Sequence, residues 1–361
     1  MKNICVVDTS ICTDNLGDET IMDAVNQIIW EMFPSAFITR VPSHEALSGR
    51  TRRLIYDADL CFIGGTNLIS SALHPVGLWR VSPEDASIFA ATHTVLMGVG
   101  WNDYQSAVTL STKRFLSEAL SPAFSHSVRD EYTAQHLNGC GVRTLSTSCM
   151  TTWQLTSEKC ANIPVTKADT ALVTLTQWRA APEADAAFLR TIKRHYKKVV
   201  FFPQQKPDFD YLSRLGFGDI VIAATTNEGY TEFLEREAVD VIGSRLHGGI
   251  RAMQKGRRSL ILAVDNRAAE IARDTNLPVR DRADTSGIER WIQAAEKTEI
   301  RLPTQAISDW KAQFRPENLD KIEGRPRGRP PERDYRKLPI GGHTLRKWRD
   351  GLVGRNRSVD D

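Results

Sequence analysis

The chain has 361 residues, of which 41% are apolar and 25% charged, and its net charge is +3. That composition gives core enough for one large or two medium domains, and two is the expectation. It contains no run of roughly 18 unbroken apolar residues to span a membrane, and "MKNICVVDTS" reads as a first core strand rather than an export signal, so the expected location is cytoplasmic.

The six cysteines (5, 12, 61, 140, 149 and 160) include no C-x-x-C pair, and reduced, structural thiols are expected. The eight histidines are scattered, with no Cys/His cluster at zinc spacing, so no metal site is expected.

Along the chain, apolar runs of strand length alternate with segments of helical period. "NICVVDT", "DADLCFIGG", "HTVLMGVGW" and "SHSVRD" supply the first half; "TALVTLT", "KKVVFFPQ", "DIVIAAT", "VDVIGS" and "RSLILAV" supply the second. Short strands without polar alternation, separated by helices, predict an α/β protein with parallel sheets covered on both faces. Between Gly17 and Phe33, Ile21, Ala24, Val25, Ile28 and Met32 fall near a 3.6-residue period and predict a helix with one buried stripe. The polar segment 155–168 marks a boundary between two tandem Rossmann-like domains, 1–160 and 161–305. Residues 306–361 are read as a helix followed by a basic tail from Lys321 onward, rich in Gly, Pro and Arg. A solvated extension is the plain reading of that tail; contact with acidic membrane lipid is the alternative. No feature calls for nucleic acid.

In open α/β sheets ligands bind beyond the carboxyl ends of the strands, so the strand-to-helix turns are where function is sought. The first, "DTSICTDNLGDETI", places Asn15, Gly17, Asp18 and Glu19 at a helix start. Two carboxylates at the positive end of the dipole disfavour pyrophosphate there. Either they only complement the dipole, or Asp18 or Asn15 faces the cleft and binds sugar hydroxyls. The second, "CFIGGTNLISS", offers Gly64, Gly65 and Asn67, where backbone can approach a ligand closely or simply turn tightly. "MGVGWND" lacks a dinucleotide fingerprint; its Trp101 is either a stacking platform for a sugar or a lid on the core. In "SVRDEY", Arg129 and Asp130 brace the turn or reach the cleft. The candidate acceptor-side residues are therefore Asn15, Gly17, Asp18, Gly64, Gly65, Asn67, Trp101 and Arg129.

"DVIGSRLHGGIRAM", residues 240–253, is the turn with the most chemistry. Ser244 is read as the N-cap, so the helix begins near Arg245 with its free N–H groups in the cleft. Arg245 adds a planar fork for phosphate or carboxylate, and His247 adds a group that gives or takes a proton near neutral pH. Gly248 and Gly249 remove side chains that would crowd a small anion. A capped turn with a structural histidine is the plain alternative. The "DFD" at 208–210 follows Pro207 and is read as helix capping rather than metal-nucleotide binding.

The ordered set "DNLGDETI", "FIGGTNLIS", "VLMGVGW", "SVRDEYTAQHLNGCGV" and "VIGSRLHGGIRAMQKGRRSLILAVDNRAAEI" resembles the polysaccharide pyruvyl transferase family over about residues 3–275. The resemblance implies a two-domain fold similar to glycosyltransferase type B. It also implies phosphoenolpyruvate as donor, a saccharide or lipid-linked saccharide as acceptor, and no cofactor. By the same resemblance Arg245 and His247 are catalytic, and the donor-binding set is Ser244, Arg245, Leu246, His247 and Gly248. Where members have "LR-x-W", this chain has "LTQW", residues 175–178: Thr176 replaces the arginine, and nearby Arg179 is the candidate substitute. Thr66 replaces the family's third glycine. A nucleotide-sugar glycosyltransferase of the same architecture, with Glu270 on a ribose, is the second reading, and a non-catalytic glycan-binding relative the third.

Overall fold

A computed structural model describes residues 1–75, 77–105 and 107–322. The first domain is built on β1 (Asn3–Asp8), β2 (Phe37–Pro42), β3 (Leu60–Gly64) and β4 (His93–Met97), a parallel sheet in the order β2-β1-β3-β4. β5 (His126–Val128) and β6 (Thr144–Ser146) extend it beyond β4 through the Val99–Val128 bridge. The second domain holds six parallel strands: β7 (Thr170–Thr174), β8 (Lys198–Phe201), β9 (Val221–Ile222), β10 (Val239–Gly243), β11 (Ser259–Ala263) and β12 (Val279–Asp281), ordered β12-β11-β10-β7-β8-β9. In this sheet the winding direction reverses between β7 and β10; in the first it reverses between β1 and β3. Both reversals open crevices at carboxyl strand ends, and the two crevices face each other.

The central strands are buried because they read as unbroken apolar runs: Ile4 to Val7 in β1 and Leu60 to Ile63 in β3 are at most 2% exposed. The expected stripe of the first helix, Leu16–Met32, is in place, with Ile21, Ala24, Val25 and Ile28 buried on β1 and β3 and Met32 half-buried. Each such large aliphatic side chain contributes roughly 1.5–3 kcal/mol relative to exposure. Gly65 has φ +56°, and a Cβ there would stand 2.1 Å from Ile21 Cγ2. That glycine serves the seating of the first helix on its strand, not the approach of a ligand.

The domains exchange segments. Leu155, Cys160 and Ile163 pack with Leu246, Ile250 and Ile271 of the second domain, so the crossover begins ahead of 161. The helix Thr304–Ala312 returns to the first sheet, where Trp310 and Phe314 pack against Phe33, Phe62 and Phe124. Trp153 is only half-buried and stacks edge-on to Trp310. Among the described residues no helix is long and apolar enough to cross a membrane. The basic tail from residue 323 onward lies outside the described residues.

Candidate functional site

Three helices start at one point in the interdomain cleft. The first-domain helix Leu16–Met32 is capped by Asn15, whose Oδ1 accepts from Gly17 N at 3.0 Å. Opposite it, Leu246–Gln254 follows β10 and Asn266–Thr275 follows β11. Asn15, Gly17, Thr176, Gln204, Ser244, Arg245, Leu246, His247, Asp265 and Arg267 line the pocket between them. The first N–H groups of a helix have no intrahelical partner and carry the positive end of its dipole. The start of Leu246–Gln254, which has no side-chain cap, favours an anion, whereas the Gly17 N–H is taken by Asn15 and the Arg267 N–H by Asp265.

The turn after β10 is shaped by Gly243, where a Cβ would stand 1.9 Å from the Thr174 carbonyl oxygen. Only glycine lets β10 end so close to β7. The helix then begins one residue later than expected: Arg245 is the N-cap, and Ser244 instead accepts the Thr176 N–H at 2.9 Å, tying the two strand ends together. Gly249 packs where a Cβ would meet Ile261 at 2.5 Å, and a Cβ at Gly248 would meet the Gln204 amide at 3.3 Å. Gly249 thus accommodates β11 rather than a ligand.

Asp208 lies under the Arg245 guanidinium. Its carboxylate, fully buried, accepts from Arg245 Nε at 2.9 Å and from the backbone N–H groups of Gln177, Gln204 and Gln205 at 3.1 Å each. The capping role read for "DFD" is therefore accompanied by a second one, the anchoring of Arg245. Arg267, from the next strand-to-helix turn of the same domain, is held in the same way, with Nε and Nη2 on Asp265 at 3.0 and 2.7 Å. Burial raises the Asp265 carboxyl, but Arg267 beside it outweighs burial and holds it below the usual range. For both arginines no hydrogen bond from Nη1 occurs among the described residues, so each keeps one amino group for a ligand.

Between them sits His247, 7% exposed. Burial and then the charges of Arg267, Arg129 and Arg245 hold its imidazole down to about 3. It is neutral at any physiological pH. Nε2 stands 3.8 Å from Cys149 Sγ, and Nδ1 faces Gly17 across the cleft, 3.5 Å from where a Cβ on that glycine would be. The Gln204 side chain, 2% exposed, has an Nε2 without a partner among the described residues.

Several expected acceptor-side residues do not reach this pocket. Trp101 is fully buried, a lid on the core. Arg129 is 2% exposed, with Nε on Asp130 at 2.8 Å and Nη1 on Asn67, and braces the turn. Gly64, Gly65 and Asn67 are buried with it. Asp18 accepts from Thr13 Oγ1 at 2.8 Å instead of facing the pocket, and burial raises its carboxyl. Asn15 and Gly17 do line the pocket. Arg179 does not: it bridges to Asp103 of the first domain. Glu270 is also engaged, accepting from Tyr104 Oη at 2.7 Å and from Arg273. Among the described residues no group of His, Cys, Asp and Glu could hold a metal ion.

Two parallel-sheet domains meeting at a pocket between their facing strand ends give a glycosyltransferase type B-like fold. A solved Listeria monocytogenes "putative UDP-N-acetylglucosamine 2-epimerase" superposes with a TM-score of 0.51 at 10% identity, over 91% of this chain and 99% of that one. The Neisseria meningitidis UDP-GlcNAc 2-epimerase bound to UDP-GlcNAc gives 0.46 at 9%, covering 90% and 95%. The E. coli heptosyltransferase WaaC with ADP-2-deoxy-2-fluoro heptose gives 0.36 at 12%, covering 72% and 88%. At 10% identity the first of these likenesses is one of fold. No curated protein matches by sequence. The model of the polysaccharide pyruvyl transferase family matches residues 15–266, and the chain belongs to that family. The match runs from the Asn15 cap to the start of the helix that carries Arg267.

Proposed function

We propose that the protein transfers the pyruvyl group of phosphoenolpyruvate to two hydroxyls of a saccharide, forming a cyclic ketal and releasing phosphate. The observation that carries this reading is the presence of Arg245 and Arg267 together with His247 in the lining of one pocket, each arginine with an amino group to spare. A donor with a phosphate at one end and a carboxylate at the other matches two guanidinium groups, the first reinforced by the uncapped start of Leu246–Gln254. Family membership supports the same chemistry.

The reaction needs a proton on the methylene carbon and a hydroxyl oxygen on the adjacent carbon. Loss of phosphate then leaves an oxocarbenium ion, which a second hydroxyl captures; of the two hydroxyl protons released, one makes good the proton given to the methylene carbon and the other leaves on phosphate. Arg245, Arg267 and the helix starts hold the donor's charges throughout, the preorganised electrostatics that usually contributes most. His247 is neutral in the empty site. Burial, the larger cause of its low value, persists when the donor binds, but a dianion beside the arginines offsets their field and favours the imidazolium, and on that basis the histidine is assigned as general acid.

The pocket is narrow, and the cleft around it is spanned by links between the domains such as Gln205 to Asp14 and Tyr104 to Glu270. The nucleotide-sugar reading has less support, because the carboxylate it would place on a ribose, Glu270, is already committed.

The test is incubation of purified protein with phosphoenolpyruvate and isolated cell-surface glycan. Phosphate release together with a new ketal methyl resonance in the glycan supports the proposal. Transfer from a sugar nucleotide, with none from phosphoenolpyruvate, overturns it.

A further inference from the structure

Trp178 is 60% exposed, yet it lines the rim of a buried, charged pocket. Its backbone is firmly held. Thr176 N donates to Ser244 Oγ at 2.9 Å, Gln177 N to Asp208 Oδ1 at 3.1 Å, and Trp178 N to Thr176 Oγ1 at 3.1 Å. The Arg179 carbonyl accepts from Arg282 Nη1 at 2.5 Å, and Arg282 is itself anchored on the fully buried Asp185 at 2.7 Å. Arg179 takes φ +52°, a conformation that a residue with a Cβ adopts at some cost, and its side chain reaches across the cleft to Asp103. Four consecutive residues are thus pinned, one of them strained, and the side chain they present is an indole facing solvent.

Burying that indole would be favourable, yet it stays largely exposed, with the Arg179 guanidinium 5.9 Å from its ring centre. A large rigid aromatic surface with polar groups beside it suits a pyranose ring. The ring's C–H face stacks on the indole, and its hydroxyls meet the Arg179–Asp103 pair at one edge. The position also fits the chemistry. The rim of the pocket is where an acceptor must stand for its hydroxyls to reach a donor held by Arg245 and Arg267, and the opposing wall is Asn15 and Gly17 of the other domain. We infer that Trp178 is the stacking platform for the acceptor sugar, the role the sequence suggested for the buried Trp101. This inference rests on the pyruvyl transfer reading for the identity of the donor.

The experiment compares wild type with Trp178→Ala and Trp178→Phe, exposed substitutions that leave the core intact. Saturation-transfer difference NMR with methyl glycosides of galactose, glucose and mannose, in the presence of phosphoenolpyruvate, reads ring contact directly. Calorimetry on the same samples reads donor binding. The expected result is saturation of ring C–H protons by wild type, about tenfold weaker sugar binding in Trp178→Ala, substantial retention in Trp178→Phe, and unchanged donor binding in all three. Donor binding with equal saturation in wild type and Trp178→Ala, or with no glycoside saturated by wild type, overturns the platform alone. Absence of donor binding in wild type overturns the pyruvyl reading instead.

Discussion

Arg245 and Asp208 form a forked ion pair in which Nη2 lies 2.5 and 2.6 Å from the two carboxylate oxygens. The turn after β10 and the helix start after β8 are thereby locked together, and the guanidinium is aimed before any ligand arrives. Replacing Asp208 with Asn leaves a buried cation facing a neutral amide and leaves three backbone N–H groups with fewer acceptors. We expect a loss of about 3–5 kcal/mol in urea unfolding and weaker donor binding. Unchanged stability would mean that Arg245 does not depend on this carboxylate.

The neutral state of His247 has a measurable counterpart. At about pH 8, two units above the second ionisation of a phosphate monoester, phosphoenolpyruvate is fully ionised and its binding should draw a proton onto the imidazole. Calorimetry in buffers of different ionisation enthalpy should show net proton uptake in wild type and none in His247→Gln. Identical heats in all buffers for wild type would remove His247 from the role of acid.

Acid sensitivity of the fold follows from two buried imidazoles. His126 accepts from Leu96 N through Nδ1 and pairs with the Ser121 carbonyl through Nε2, and burial lowers it from 6.5 to about 4. His247 falls to about 3 from the same starting value. Because both folded values lie below the unfolded one, the unfolded chain binds more protons. Their contribution is complete above pH 6.5 and is lost as pH falls toward 4 and then 3. Their contributions are on the order of 3 kcal/mol for His126 and 5 kcal/mol for His247. Urea unfolding across that range should show the decline, and His126→Gln should flatten part of it; an equal slope in the variant would assign the decline to other groups.

Gly243→Ala tests the close approach of β10 to β7. The added Cβ would lie 1.9 Å from a backbone carbonyl oxygen, so the strand end itself must move. A destabilisation of about 3 kcal/mol is expected, at the upper end for overpacking, together with loss of donor binding as Arg245 and His247 shift. Wild-type melting behaviour would contradict the packing described.

The sequence made the βα alternation, the first helix stripe and the Arg-x-His turn legible because each depends on neighbours within a few residues. Arg267 escaped because it reaches the pocket from the following strand-to-helix turn. The available signal was "AVDNRAA", an Asp cap with an arginine two residues on at the end of an apolar strand. Trp101 and Trp178 show the converse: both follow strands, and nothing local distinguishes an indole under the second domain's Asn266 from one left at a pocket rim. Arg179 was the nearest cation to Thr176 in sequence, but its left-handed backbone turns it toward Asp103. Domain exchange was hidden for the same reason, since only the assembled fold shows Trp310 returning to the first sheet.

The most direct test of the two-arginine pocket is calorimetry of phosphoenolpyruvate with wild type and Arg267→Gln, an exchange that removes the charge from the pocket wall. Binding by wild type, weakened at least tenfold in the variant, is the predicted result, corresponding to about 1.4 kcal/mol or more. Equal affinity in the two proteins, or heat only with a sugar nucleotide, would contradict the account.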